Sequence, residues 1–151
     1  MAICLKCSHK SDQVGELCAF CHAAYTVLDN SGKDPLNMLG TMVVGKFVPV
    51  SVLEVYSNAV AYKVWQTIVD RNLTLNVVRP DYLKQPGARE RFSQVTELFA
   101  QIKQQNLPSV LDVLELPEKN TLAVTMEASN GEPLSAIMNK YRPDSVTLMY
   151  I

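Results

Sequence analysis

KFVPVSVLEVYSNAVAYKVWQTIVDRNLTLNVV, residues 46–78, decides the architecture. Valine, isoleucine and aromatic side chains crowd its two arms, 46–56 and 59–69, and such side chains favour the pleated, extended backbone. Ser57-Asn58 is a turn-forming pair between them, so the arms read as a hairpin. Asp70-Arg71-Asn72 makes the next turn, and LTLNVV at 73–78 is a third strand. Pro80 ends it, because proline lacks the N–H that a ladder needs. Consecutive strands joined by turns this short run antiparallel.

Outward from this sheet toward the C-terminus, a helix is expected from Arg89 to Gln105. Its apolar residues Phe92, Val95, Leu98, Phe99 and Ile102 recur at steps of three and four, which places them on one face, read as the buried one. Asn106 and Pro108 stop the helix. SVLDVLELPE at 109–118, a turn at Lys119-Asn120 and TLAVTMEA at 121–128 then give a second hairpin. Glu132–Lys140 reads as a short helix, and Asp144 as the N-cap of another. The fold class is α+β, with five antiparallel strands and one major helix.

Toward the N-terminus, DNSGKDPLNMLG at 29–40 is rich in turn formers and reads as a linker. Ahead of it lie all four cysteines, Cys4, Cys7, Cys18 and Cys21, as two C-x2-C pairs separated by ten residues. Each C-x2-C turn presents two thiolates to one centre, and two such turns complete the tetrahedral shell of a structural zinc ion. Zinc is preferred over a redox dithiol or iron, and a shell closed by four thiolates leaves no open position for catalysis. His9 and His22 stand beside cysteines and are read as exposed residues outside the ligand set. A unit this short draws most of its folding free energy from the metal. The expected division is a zinc ribbon at 1–28, a linker at 29–41 and a second domain at 42–151.

Composition narrows the function classes. With 14 basic and 15 acidic side chains the formal charge is −1, so no long-range field recruits nucleic acid or an acidic membrane. Near the cysteines, Lys6 and Lys10 are balanced by Asp12 and Glu16, and only Phe20 and Tyr25 offer rings for stacking. Nucleic acid is therefore not an expected partner. No apolar run reaches membrane-spanning length, and MAICLKCSHK has no secretion-signal core, which gives a cytoplasmic reading.

Four stretches resemble the small lobe of bacterial serine/threonine protein kinases: VDRNLTLNVVRPDYL (69–83), ARERFSQVTELFAQI (88–102), NLPSVLDVLE (106–115) and LAVTMEASNGEPLSAIM (122–138). The resemblance covers residues 44–151 and rests on spacing and hydrophobic pattern. A zinc ribbon ahead of a kinase domain also looks familiar from bacterial members.

The resemblance implies a degenerate nucleotide site. The family's G-x-G-x-x-G loop lets backbone amides close over ATP phosphates, and its matching positions here are Ser57, Ala59 and Tyr62. A tyrosine ring at that place is expected to intrude on the phosphate space. The strand lysine falls on Asn76, or on Arg79 if the register shifts by three, and the helix glutamate falls on Val95. Apart from the resemblance, these are ordinary strand and helix positions, and Trp65 reads as core. Residues 1–151 contain neither an H-R-D catalytic loop nor a D-F-G metal motif, so the sequence reads as a stand-alone lobe or as the front of a longer chain.

The expectation is thus a non-catalytic, pseudokinase-like scaffold with structural zinc and no bound ATP. It would recruit a protein partner or self-associate through a lobe underside around Val77, Met126 and Ile137. The alternative is the N-terminal part of an active kinase using Arg79 or Lys84, with Lys63 more plausibly facing solvent. A zinc-dependent nucleic-acid binder is the third reading.

Overall fold

The structure, a computed structural model, describes residues 2–7, 9–11, 17–28, 34–129, 131, 137, 138 and 140. Three short strands, β1 (Ala2–Cys4), β2 (Lys10–Ser11) and β3 (Tyr25–Val27), form an antiparallel sheet in the order β2-β1-β3. The larger unit contains β4 (Phe47–Val55), β5 (Ala59–Gln66), β6 (Arg71–Val78), α1 (Pro80–Leu83), α2 (Ala88–Gln101), β7 (Val110–Leu116) and β8 (Thr121–Glu127). Its five strands are antiparallel in the order β4-β5-β6-β8-β7.

Alternation along the strands fixes which face forms the core, because side chains two apart share a face. Val60, Tyr62 and Val64 of β5 stand opposite Val77, Leu75 and Leu73 of β6, and all six are buried. Ala123 of β8 and Leu114 of β7 continue the row from Val77. The sheet curls until its two edges approach: Lys46, just before β4, bonds Asp112 of β7 at 3.0 Å.

The concave face is covered by residues 34–43. Of the segment read as a linker, 29–33 lie outside the described residues, but Met38, only 1% exposed, belongs to the core, and Leu36 and Leu39 pack against it. Polar anchors explain why a turn-rich stretch lies down on the sheet. The Asp34 carboxylate accepts the Tyr62 hydroxyl at 2.6 Å and the Leu39 amide at 2.9 Å. Lys119 Nζ donates to the Leu36 carbonyl, and the Gly40 amide donates to Pro49. Gly40 has φ +66, and a β-carbon there would stand 2.8 Å from the Leu28 side chain, so this crossing needs glycine.

Several boundaries differ from the expectation. The second strand ends at Gln66, not Val69, and the turn is Thr67–Asp70 with Asp70 in the left-handed region that aspartate tolerates. Ile68 and Val69 are consequently exposed. Pro80 does more than end β6: it opens α1, where its missing N–H costs nothing. The major helix ends at Gln101, short of Gln105, and its apolar stripe is not buried. Val95 is 56% and Leu98 62% exposed, while the buried residues are Ala88 and Thr96. Thr96 returns its hydroxyl to the Phe92 carbonyl, so the helix meets its surroundings along a small, mixed edge.

The lobe underside is also revised. Val77 is fully buried in the core, and Met126 is half-buried with its sulfur accepting the Asn76 amide at 3.2 Å. Ile137 is half-buried. The helix expected at Glu132–Lys140 is described only at Ile137, Met138 and Lys140, which are helical, and the Asp144 cap lies outside the described residues.

Candidate metal centre

β1 delivers Cys4 from its C-terminal end, and the following turn brings Cys7 back beside it. The second turn, Cys18 to Cys21, is closed by two backbone bonds: Cys18 donates to Ala23, and His22 donates to the Cys18 carbonyl. His22 adopts φ +56, a conformation histidine enters more readily than most residues, and this lets the chain reverse after the second pair.

The four sulfurs all lie within 4.8 Å of one another. Cys4 and Cys21 are 3.3 Å apart, Cys7 and Cys18 3.4 Å, and Cys7 and Cys21 3.5 Å. All four cysteines are free, with no disulfide among them. A metal with bonds of about 2.3 Å to four tetrahedral sulfurs would hold them about 3.8 Å apart, a spacing between the shortest separations here and their 4.8 Å bound. The described residues contain this one group of potential ligands, and neither histidine belongs to it. His9 is half-buried, not exposed, with its ring 4.4 Å from that of Phe20, whereas His22 is exposed.

Backbone amides aim at the sulfurs. Those of His9, Phe20 and Ala23, each two residues after a cysteine, bond Cys7, Cys18 and Cys21, and the Cys21 amide also bonds Cys18. Such donors orient ligands and stabilise thiolate charge. At Cys18, burial opposes ionisation, but the Phe20 and Cys21 amides and the neighbouring sulfurs outweigh it and lower the thiol to about 6. At Cys7 the His9 amide favours ionisation, yet the adjoining thiols and burial win and push it up to about 12. Cys21 is also raised, against its Ala23 amide, by Cys4 and burial. One thiolate forms readily and its neighbours resist a second, so a divalent cation is the natural counter-charge. Tyr25 is raised by burial and by its hydrogen bond to Cys18.

The positions matched to a nucleotide site do not converge. Ser57 is exposed in a tight turn where Tyr56 donates to the Ala59 carbonyl at 2.8 Å. Ala59 begins β5, and the Tyr62 ring lies in the core on Asp34, so it does not intrude on any phosphate space. Asn76 faces Met126, Arg79 is half-exposed before α1, and Val95 is exposed on α2. Lys84 pairs with Asp81 at 2.8 Å, Lys63 is exposed and Trp65 is half-buried. No protein-family model and no curated protein matches the chain.

Sequence reasoning found the four sulfurs but missed their amide donors, the hydrogen bond of Tyr25 to Cys18 and the exposure of α2. The Phe20 amide was accessible, because a C-x2-C turn folds that N–H back onto the first sulfur, whereas the His9 and Ala23 amides follow the second cysteine of each pair. The exposure was not accessible, since periodicity identifies a face without saying what covers it. No helix among the described residues is long and apolar enough to cross a membrane.

Proposed function

We propose that this chain is a zinc-stapled, kinase-like small lobe that works by protein contact and not by phosphoryl transfer. The observation that carries the reading is the apolar stripe of α2. Val95, Leu98, Phe99 and Ile102 stand exposed, and Leu107, Leu111 and Val113 extend exposed apolar surface into β7. Exposed apolar side chains gathered on one helix face support an interaction site. It replaces the underside around Val77 as the place for a partner or a second copy.

The order of three strands, a short helix, the major helix and two strands supports kinase-like ancestry. The first hairpin supports the non-catalytic reading. Its turn holds only Ser57 and Asn58 beyond the closing pair, too little backbone to form a canopy of amides over phosphates. Zinc fits the metal centre best among common ions, because four thiolates in a tetrahedron suit its size and softness. Its role there is to hold the knuckle.

Two measurements on the Zn2+-loaded full chain test the proposal. Thermal-shift titration with Mg-ATP should give no saturable stabilisation. Sedimentation should show concentration-dependent association that Leu98→Glu abolishes. A monomer stabilised saturably by Mg-ATP would overturn the reading in favour of an active kinase fragment.

A further inference from the structure

Where the curled sheet fails to close, a cleft of about 590 Å³ opens between the segment 38–45 and the end of β7 with the turn after it. Its walls are apolar, formed mainly by Met38, Met42, Val43, Leu116 and Pro117. That volume lies within the range of small-molecule sites, and mostly apolar walls with few polar groups are their usual lining.

The polar groups at the cleft set the charge of what fits. Lys119 lines it, but its ammonium is engaged by the Leu36 carbonyl at 2.9 Å. Lys46 nearby in the chain is engaged by Asp112. Glu115 and Glu118 also line the cleft, both are exposed, and neither has an ion-pair partner among the described residues. A hydrogen bond to a neutral carbonyl leaves the Lys119 charge in place, so the two glutamates and this lysine give the cleft a formal charge of −1. The wall also contains Val44-Gly45, the centre of a turn closed by reciprocal bonds between Val43 and Phe47. Val44 has φ +48, a region that β-branched residues avoid, and such strain collects at binding sites more than elsewhere.

We infer that this cleft is a binding site for a small organic cation with an apolar body. The body lies against Met42 and Leu116 above the buried Met38, and the ammonium faces Glu115 and Glu118. The exposed Met42 side chain adapts to the shape of the body and favours contact with an aromatic ring. The inference stands apart from the kinase-like reading, since it uses neither the metal centre nor the α2 stripe.

The test uses the full chain loaded with Zn2+ and labelled with 13C at the methionine methyls. It is titrated with tryptamine and, in parallel, with indole-3-propionate, which carries a carboxylate on the same ring. Tryptamine should shift the Met38 and Met42 methyls saturably and bind about tenfold tighter than the anion, the effect of two exposed carboxylates. The double substitution Glu115→Gln, Glu118→Gln should erase that preference and leave the unfolding midpoint unchanged. Absence of a saturable shift at Met38 and Met42 overturns the inference. So do equal affinities for the two probes, or a preference that survives the double substitution.

Discussion

The strands around the metal centre are two or three residues long, whereas those of the five-stranded sheet run to seven to nine. β1 is fully buried, but strands this short make few ladder bonds, so the N-terminal unit depends on what its sulfurs hold. The longer strands carry an alternating apolar face that makes a core without help. One unit is specified by four atoms, the other by many side chains of modest individual weight. Removing a ligand should therefore be all-or-none in the first and graded in the second.

Metal removal breaks the comparison most strongly. Metal binding to a cysteine knuckle supplies about 10–16 kcal/mol near neutral pH, far more than any single core residue. Chelation, or Cys18→Ser, should abolish hydrogen-exchange protection at Ile3 and Cys4 while the Leu75 and Val77 amides in β6 remain protected. Loss of protection in β6 as well would mean that the two units fold as one. Acid should act like a chelator. The ligands must be thiolates, and with Cys7 pushed up to about 12 in the metal-free cluster, protons compete harder as pH falls. Release of Zn2+, followed with a colorimetric indicator, should therefore rise monotonically on acidification.

The converse experiment is a core truncation. Leu75 is fully buried between Tyr62 and Thr125 of the neighbouring strands, and Leu75→Ala should cost about 2–5 kcal/mol in urea unfolding. The metal content of the folded protein should not change.

A polar anchor should rank below a core leucine. Tyr62→Phe removes the hydroxyl that Asp34 accepts and leaves one carboxylate oxygen of a half-buried residue without that donor, a loss of about 1–3 kcal/mol. The same pair gives the sheet an alkaline limit. Burial first, then the Asp34 carboxylate, raise the Tyr62 phenol well above the usual tyrosine range. An unfolded tyrosine ionises near pH 10, so above about that pH the unfolded chain holds fewer protons than the folded one. Stability contributed by Tyr62 is intact below that point and declines as pH rises. Urea midpoints between pH 8 and 11 should fall in the parent protein and fall less in Tyr62→Phe.

The two regions also differed in how far they could be read. Four cysteines in two pairs disclose a site because the chemistry needs only those residue types at that spacing. The hairpin at Ser57-Asn58 and the return at Lys119-Asn120 were legible for a similar reason, since turn chemistry is local. The cover over the sheet was not. Asp34 lies 28 positions from Tyr62, and nothing in DPLNMLG announces that its aspartate will cap a buried phenol or that Met38 will fill the core. Such contacts are fixed by tertiary packing, which overrides local polarity. The same holds for Lys46 and Asp112, whose pairing follows from sheet curl.

Helix α2 gives the smallest expected effect and the sharpest discrimination, because its burial is inverted. The polar Thr96 is 7% exposed while Leu98 is 62% exposed. If the stripe faces solvent in the isolated chain, Leu98→Glu has almost no contact to lose and should move the unfolding free energy by no more than about 0.5 kcal/mol. If the stripe were instead packed within the monomer, the same substitution would bury a carboxylate and cost several-fold more. Urea unfolding at concentrations too low for association separates the two outcomes. A near-neutral result beside lost association in sedimentation would assign these leucine, valine and phenylalanine side chains to contacts between molecules. A large destabilisation would return them to the core and remove the support for an interaction surface.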